Sequence, residues 1–183
     1  MNLKKMIFIN TIITFLLCFL SHFMYKWLPN PLFSIFFPVN ESIWEHMKML
    51  FTTILISSII EYFIMKKCDI EFNNFTLTSF IKAISSIPIY LVIFIPLYKM
   101  FGENMFISIS VMLLVIFIVN LIGYLLLKYD EIPYQKLIAI TFIILIYIVM
   151  GILTYKPPKQ ELFYDIKENK YGINIYENKN TSE

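Results

Sequence analysis

NMFISISVMLLVIFIVNLIGYLLL, residues 104–127, runs for 24 residues without a charged side chain. As a helix rising about 1.5 Å per residue it reaches about 36 Å, more than the ~30 Å hydrocarbon core of a bilayer. Asn120 is the only amide in its interior. Working outward, four further stretches meet the same test, at about 6–28, 42–65, 77–99 and 134–155. The breaks between them carry prolines, charges and turn formers: Pro29-Asn30-Pro31, Pro38-Val39-Asn40, Lys66 to Asn74, Gly102-Glu103-Asn104, and Lys128 to Pro133. The reading is an all-α integral membrane protein: a bundle of five transmembrane helices over 1–155, then a short polar tail over 156–183.

Composition agrees. The chain is 58% hydrophobic and 15% charged, with a mean hydropathy of +0.71, against about 45–50% and about 25% in soluble domains. An ordinary cytosolic enzyme, a disordered tail and a nucleic-acid-binding module are all excluded on this ground. The net charge is only +2, every basic residue is lysine, and no basic cluster could follow a phosphate backbone. Cys18 and Cys68 are too few for a disulfide framework or a zinc ribbon. The partner implied is the lipid bilayer; a homo-oligomer or another membrane partner is left open.

Lysine bias in short loops sets the expected orientation. With the N-terminus cytoplasmic, the inner side holds Lys4, Lys5, Lys66, Lys67, Lys128 and Lys136, and the outer loops hold only Lys26 and Lys99. Five spans then put the tail outside the plasma membrane. Lys4-Lys5 ahead of an apolar run mimics a secretory signal, but the run is too long and no small-x-small site follows. A retained first helix is expected. The apolar segment Leu32 to Phe37 is too short to cross and should lie in the outer interface, with Trp27 and Trp44 as anchors.

At 100° per residue, Asn10, Ser21, Thr14, Tyr25, Cys18, Thr11 and His22 share one third of the first helix. The second span carries Glu41, Glu45, Ser42, Thr53, His46, Ser57 and Glu61 in a broader arc. Serine, threonine and asparagine there read first as glue between helices, on the order of 0.6 kcal/mol per bond. Ionisable groups at membrane depth are costlier, and usually mark a site, a path or a pair.

The densest chemical run is Pro38-Val39-Asn40-Glu41-Ser42-Ile43-Trp44-Glu45-His46. A structural account exists: Ser42 to Glu45 is a capping box, Asn40 an alternative cap, Glu41 a complement to the helix dipole, and Lys48 a local neutraliser of Glu45. That account leaves the two histidines unexplained. His22 lies about 9 Å and His46 about 7 Å inside the outer ends of their helices, each on a polar face. Two imidazoles and one or two carboxylates are a fit set for a divalent metal, and equally for a proton relay or a carboxylate–histidine acid/base pair. The candidate ligands are His22, Glu45 and His46, with Tyr25, Asn40, Glu41 and Ser42 around them, and Ser57 and Glu61 as a candidate pathway.

PVNESIWEH, with His22-Phe23-Met24-Tyr25 before it and Pro157-Pro158, Leu162-Phe163-Tyr164-Asp165 and Tyr171-Gly172 far downstream, resembles an uncharacterised family of small bacterial multi-pass membrane proteins. The resemblance covers nearly the whole chain and implies membrane residence and shared motif positions, with no activity attached.

In the tail, Leu162 to Ile166 and Tyr171 to Tyr176 flank the polar Lys167 to Lys170, which predicts a short hairpin; Asn178 to Glu183 are expected to be disordered. Three function classes stay open: a metal- or small-ligand-binding membrane protein whose enzyme form is a membrane-embedded metal-dependent hydrolase, a small transporter or proton path along the polar stripe, and a structural or accessory subunit.

Overall fold

The computed structural model describes residues 3–102, 104–173 and the backbone of 175–176. Among the described residues there are six α-helices: α1 Leu3–Trp27, α2 Pro31–Phe36, α3 Ile43–Lys67, α4 Phe75–Phe101, α5 Met105–Leu126 and α6 Gln135–Tyr155. All except α2 are long and apolar enough to cross a membrane. A single 3₁₀ turn, Glu161–Phe163, leads into the strands β1 Tyr164–Asp165, β2 Lys170–Tyr171 and β3 Ile175–Tyr176, paired antiparallel in that order. The expected hairpin is therefore formed by β1 and β2. The expectation for Asn178 to Glu183 lies outside the described residues.

Local chemistry sets the helix starts. Asn30 accepts from the Phe33 amide at 3.1 Å, with Pro31 in the first turn of α2, and Asn104 accepts from Phe106 and Ile107 at 2.9 and 3.2 Å to open α5. Asn74, at the start of α4, does not cap its own helix. Its side chain instead ties down the α5–α6 loop, donating to the Asp130 carbonyl at 2.9 Å and accepting from the Ile132 amide at 2.7 Å.

α1, α3, α4 and α5 form a closed four-helix ring, α1 meeting both α3 and α5, and α4 meeting both α3 and α5. α6 packs on the outer flank of α4, and α2 wedges between α6 and the ring. Thirteen of the 25 residues of α3 are buried, against four of 21 in α6, so α3 is the central helix and α6 the peripheral one. The core around Leu50, Phe51, Ile54, Ala83, Val115, Ile116 and Val119 is fully enclosed. α6 turns Leu137, Ile140, Phe142, Ile144 and Ile148 outward, an apolar face suited to lipid tails.

The polar stripe of α1 is its buried face: Asn10, Thr11, Thr14, Cys18 and Ser21 all point into the ring. Connectivity puts Lys4, Lys5, Lys66, Lys67, Lys128 and Lys136 at one end of the bundle, and α2, the 38–46 run and the strands at the other, hereafter the tail end.

Candidate metal centre

Three elements meet at the tail end. α1 supplies His22 from its last turns, the bent link before α3 supplies Glu41, and the first turn of α3 supplies His46. His22 Nε2 stands 3.3 Å from one oxygen of Glu41, and His46 Nε2 3.7 Å from the other. The imidazole centroids are 5.6 Å apart, and one ligand atom from each of the three residues lies within 4.8 Å of the other two. His46 Nδ1 sits 2.9 Å from the Ser42 carbonyl. A carbonyl only accepts, so Nδ1 carries the hydrogen, and Nε2 of the neutral ring presents its lone pair to the cluster. The His22 contact is the first cause holding the Glu41 carboxyl down to about 2. Partial burial opposes it, and the charges of His22, His46 and Lys167 add to it.

Glu45 does not join this group. α3 begins at Ile43, so Glu41 stands off the helix and reaches His22, while Glu45, one turn inside, points to the other flank. There it pairs with Lys48 at 2.5 Å, both fully buried. The capping box is altered accordingly. Ser42 still accepts from the Glu45 amide, at a long 3.4 Å, but the Glu45 carboxylate passes Ser42 and accepts from the Val39 amide at 3.0 Å. The Ser42 amide turns to Asn40 Oδ1 at 2.9 Å. Lys48 completes its three bonds on the Ser34 carbonyl at 2.8 Å and Thr154 Oγ1 at 2.9 Å, locking α3 to α2 and α6.

The tail holds this link from above. Asn40 donates to the Gly172 carbonyl at 2.9 Å, the Glu41 amide donates to Asp165 at 2.8 Å, and Trp44 packs on Phe163 at 5.1 Å between centroids. The other Asp165 oxygen accepts from the Lys167 and Glu168 amides at 2.8 and 3.1 Å. Gly172 sits at φ +56°, where a Cβ would meet the Thr154 carbonyl at 2.4 Å. Tyr25 is half-buried near Tyr155 and Lys170. Asp165 has no signal in a helical wheel, because it acts across 124 residues of chain.

Ser57 and Glu61 lie apart from the histidines. Glu61 is about 24 Å along α3 from Glu45. Its carboxylate takes Lys82 at 2.5 Å and Asn10 Nδ2 at 3.0 Å; Asn10 also donates to Asn120 at 3.1 Å, and Asn120 to Thr11 at 3.1 Å. Four helices thus share one buried polar knot. A cavity of about 10 Å³ beside it, bordered by Glu61, Lys82 and Asn120, has room for about one water. Ser57 spends its hydroxyl on the Ile54 carbonyl at 2.9 Å. Nothing local in the sequence pairs Lys82 with Glu61, which takes packing of α3 on α4.

No curated protein and no solved structure matches the chain. A family model does match, over residues 1–173, and the chain accordingly belongs to the family of unknown function DUF6512.

Proposed function

We propose that this membrane protein holds one divalent transition-metal ion, zinc by preference, at its tail end through His22, Glu41 and His46. The observation that carries the reading is the convergence of the three ligand atoms within 4.8 Å of one another from three separate elements. Donors at about 2.0–2.1 Å from zinc stand up to about 4.2 Å apart, so the set closes on a metal by side-chain shifts of less than about 1 Å. Two imidazoles and one carboxylate leave a coordination position for water or a ligand, the pattern of hydrolytic rather than purely structural zinc sites. The lysine distribution supports a plasma-membrane orientation with the N-terminus inside and this centre facing out.

Of the rival classes, the through-path gains least support. Glu61 is neutralised by Lys82, and the enclosed apolar core of Leu50, Phe51 and Ile54 lies on α3 between Glu61 and the histidines.

The test is metal analysis and zinc titration of the full chain in detergent. One zinc per chain is expected. Losing an indirect support of a ligand already costs about 10–100-fold in affinity, so His46→Ala should cost roughly 100-fold or more. Zinc binding that survives the double change of His22 and His46 to alanine would overturn the assignment.

A further inference from the structure

We propose that a groove at the lysine-rich end of the bundle binds the headgroup of a zwitterionic phosphate–amine lipid, of the phosphatidylethanolamine class. This site stands at the opposite end from the metal centre and does not depend on it.

The link between α3 and α4 builds the groove by crossing the end of the bundle to α5. Its Asn73 amide donates to the Leu127 carbonyl at 2.9 Å, and Asn73 Nδ2 to the Tyr129 carbonyl at 3.1 Å. The link is thus held by the protein's own bonds. Beside it opens a cavity of about 850 Å³, within the range of clefts that take small ligands. Its charged lining is balanced, Lys66 and Lys128 against Asp69 and Glu71, all four exposed. Among the described residues these charges do not cancel by contact. Lys66 Nζ lies over the rings of Phe72 and Tyr62 at 5.4 and 6.0 Å from their centroids, and Lys128 Nζ over Tyr124 at 4.3 Å.

Two cations and two anions in one cleft match a ligand that carries both signs. A phosphate suits the lysines, and a primary ammonium has three N–H groups to give to the carboxylates. The quaternary ammonium of phosphatidylcholine has no N–H to donate. Phosphatidylglycerol brings no cation and leaves Asp69 and Glu71 unmatched. The depth is that of headgroups: Lys66 is the last residue but one of α3, and Lys128 lies two residues past the end of α5. A path for acyl chains adjoins. Phe72, in the groove wall, meets Tyr62 edge-on at 5.8 Å, and Tyr62 and Phe63 are exposed on the flank of α3.

The full chain is placed in nanodiscs of equal parts phosphatidylethanolamine, phosphatidylcholine and phosphatidylglycerol, and the lipids it retains are weighed by native mass spectrometry. Phosphatidylethanolamine should be retained over each of the others by about threefold or more, the worth of one or two exposed ion pairs. Asp69→Asn with Glu71→Gln should turn the preference to phosphatidylglycerol, since both lysines remain. Lys66→Gln with Lys128→Gln should lower the retention of every lipid, since all three bring a phosphate. All four side chains are exposed, so neither double change touches the core. Glycerophosphoethanolamine, which has the headgroup without its chains, should not displace the lipid even in large excess. Displacement by it would assign the groove to a soluble zwitterion and overturn the lipid reading. Equal retention of the three lipids, a preference unmoved by the acid-to-amide pair, or a total unmoved by the lysine pair would overturn the proposal as well.

Discussion

Glu41 and Glu45 are separated by one turn's worth of sequence and by the boundary of a helix. Glu41, 37% exposed at its side chain, keeps its charge beside two imidazoles; Glu45, 1% exposed, is tied to an ammonium that has nowhere else to go. Removing one partner of such a buried pair leaves a charge without compensation, at about 3–5 kcal/mol. Glu45→Gln should therefore lower the thermal midpoint in detergent sharply while zinc affinity is retained, and Glu41→Gln should remove most of the rise in midpoint that zinc produces; a thermal-shift series with and without zinc reads both. Acid separates them further. A carboxyl lowered from 4.5 to about 2 by folding contributes its stability in full above pH 4.5 and loses it as the pH falls toward 2. The midpoint difference between the metal-free wild type and Glu41→Gln should close as the pH falls from 4.5 toward 2.

Between elements, the decisive contacts are places where a side chain crosses a gap that only a small residue allows. Gly123 on α5 lies where an added methyl would come within 2.5 Å of Lys82 Cδ. Gly123→Ala should push Lys82 off Glu61 and cost about 1–3 kcal/mol, read as a lower unfolding midpoint. Asp165 plays the corresponding part at the tail end, fixing the Glu41 backbone from β1. Asp165→Ala should weaken zinc binding about 10–100-fold although it touches no ligand atom, measured by competition with a chelator. These contacts also mark what was readable beforehand. The five helices were legible because a bilayer demands some twenty apolar residues per span, and the α1 stripe because a 3.6-residue period sorts Asn10 to Ser21 onto one side. The pairing of His22 with His46 followed from depth and angle. The choice of carboxylate did not, because the wheel was carried through Glu41 as though α3 began there, whereas it begins at Ile43. Lys48 and Lys82 as buried counterions, and Asp165 as a brace, depend on packing between distant segments that no local period encodes.

For the whole molecule, the alternation of five crossing helices puts six lysines at one end and the candidate centre at the other. A reporter enzyme fused after Glu183 and active only outside the cytoplasm should be active; cytoplasmic activity would reverse the orientation argued from the lysines. The strands that brace Glu41 are made after all five long helices. His22, Glu41 and His46 have all been synthesised by residue 46, but Asp165 follows about 120 residues later, roughly 6–24 s at ~5–20 residues per second. During that interval the two imidazoles exist without a braced carboxylate between them, while α4, α5 and α6 are made in turn. Completion of the centre thus waits until synthesis has passed α6: a chain cut short in α6 keeps all three ligands and lacks the means to hold them together.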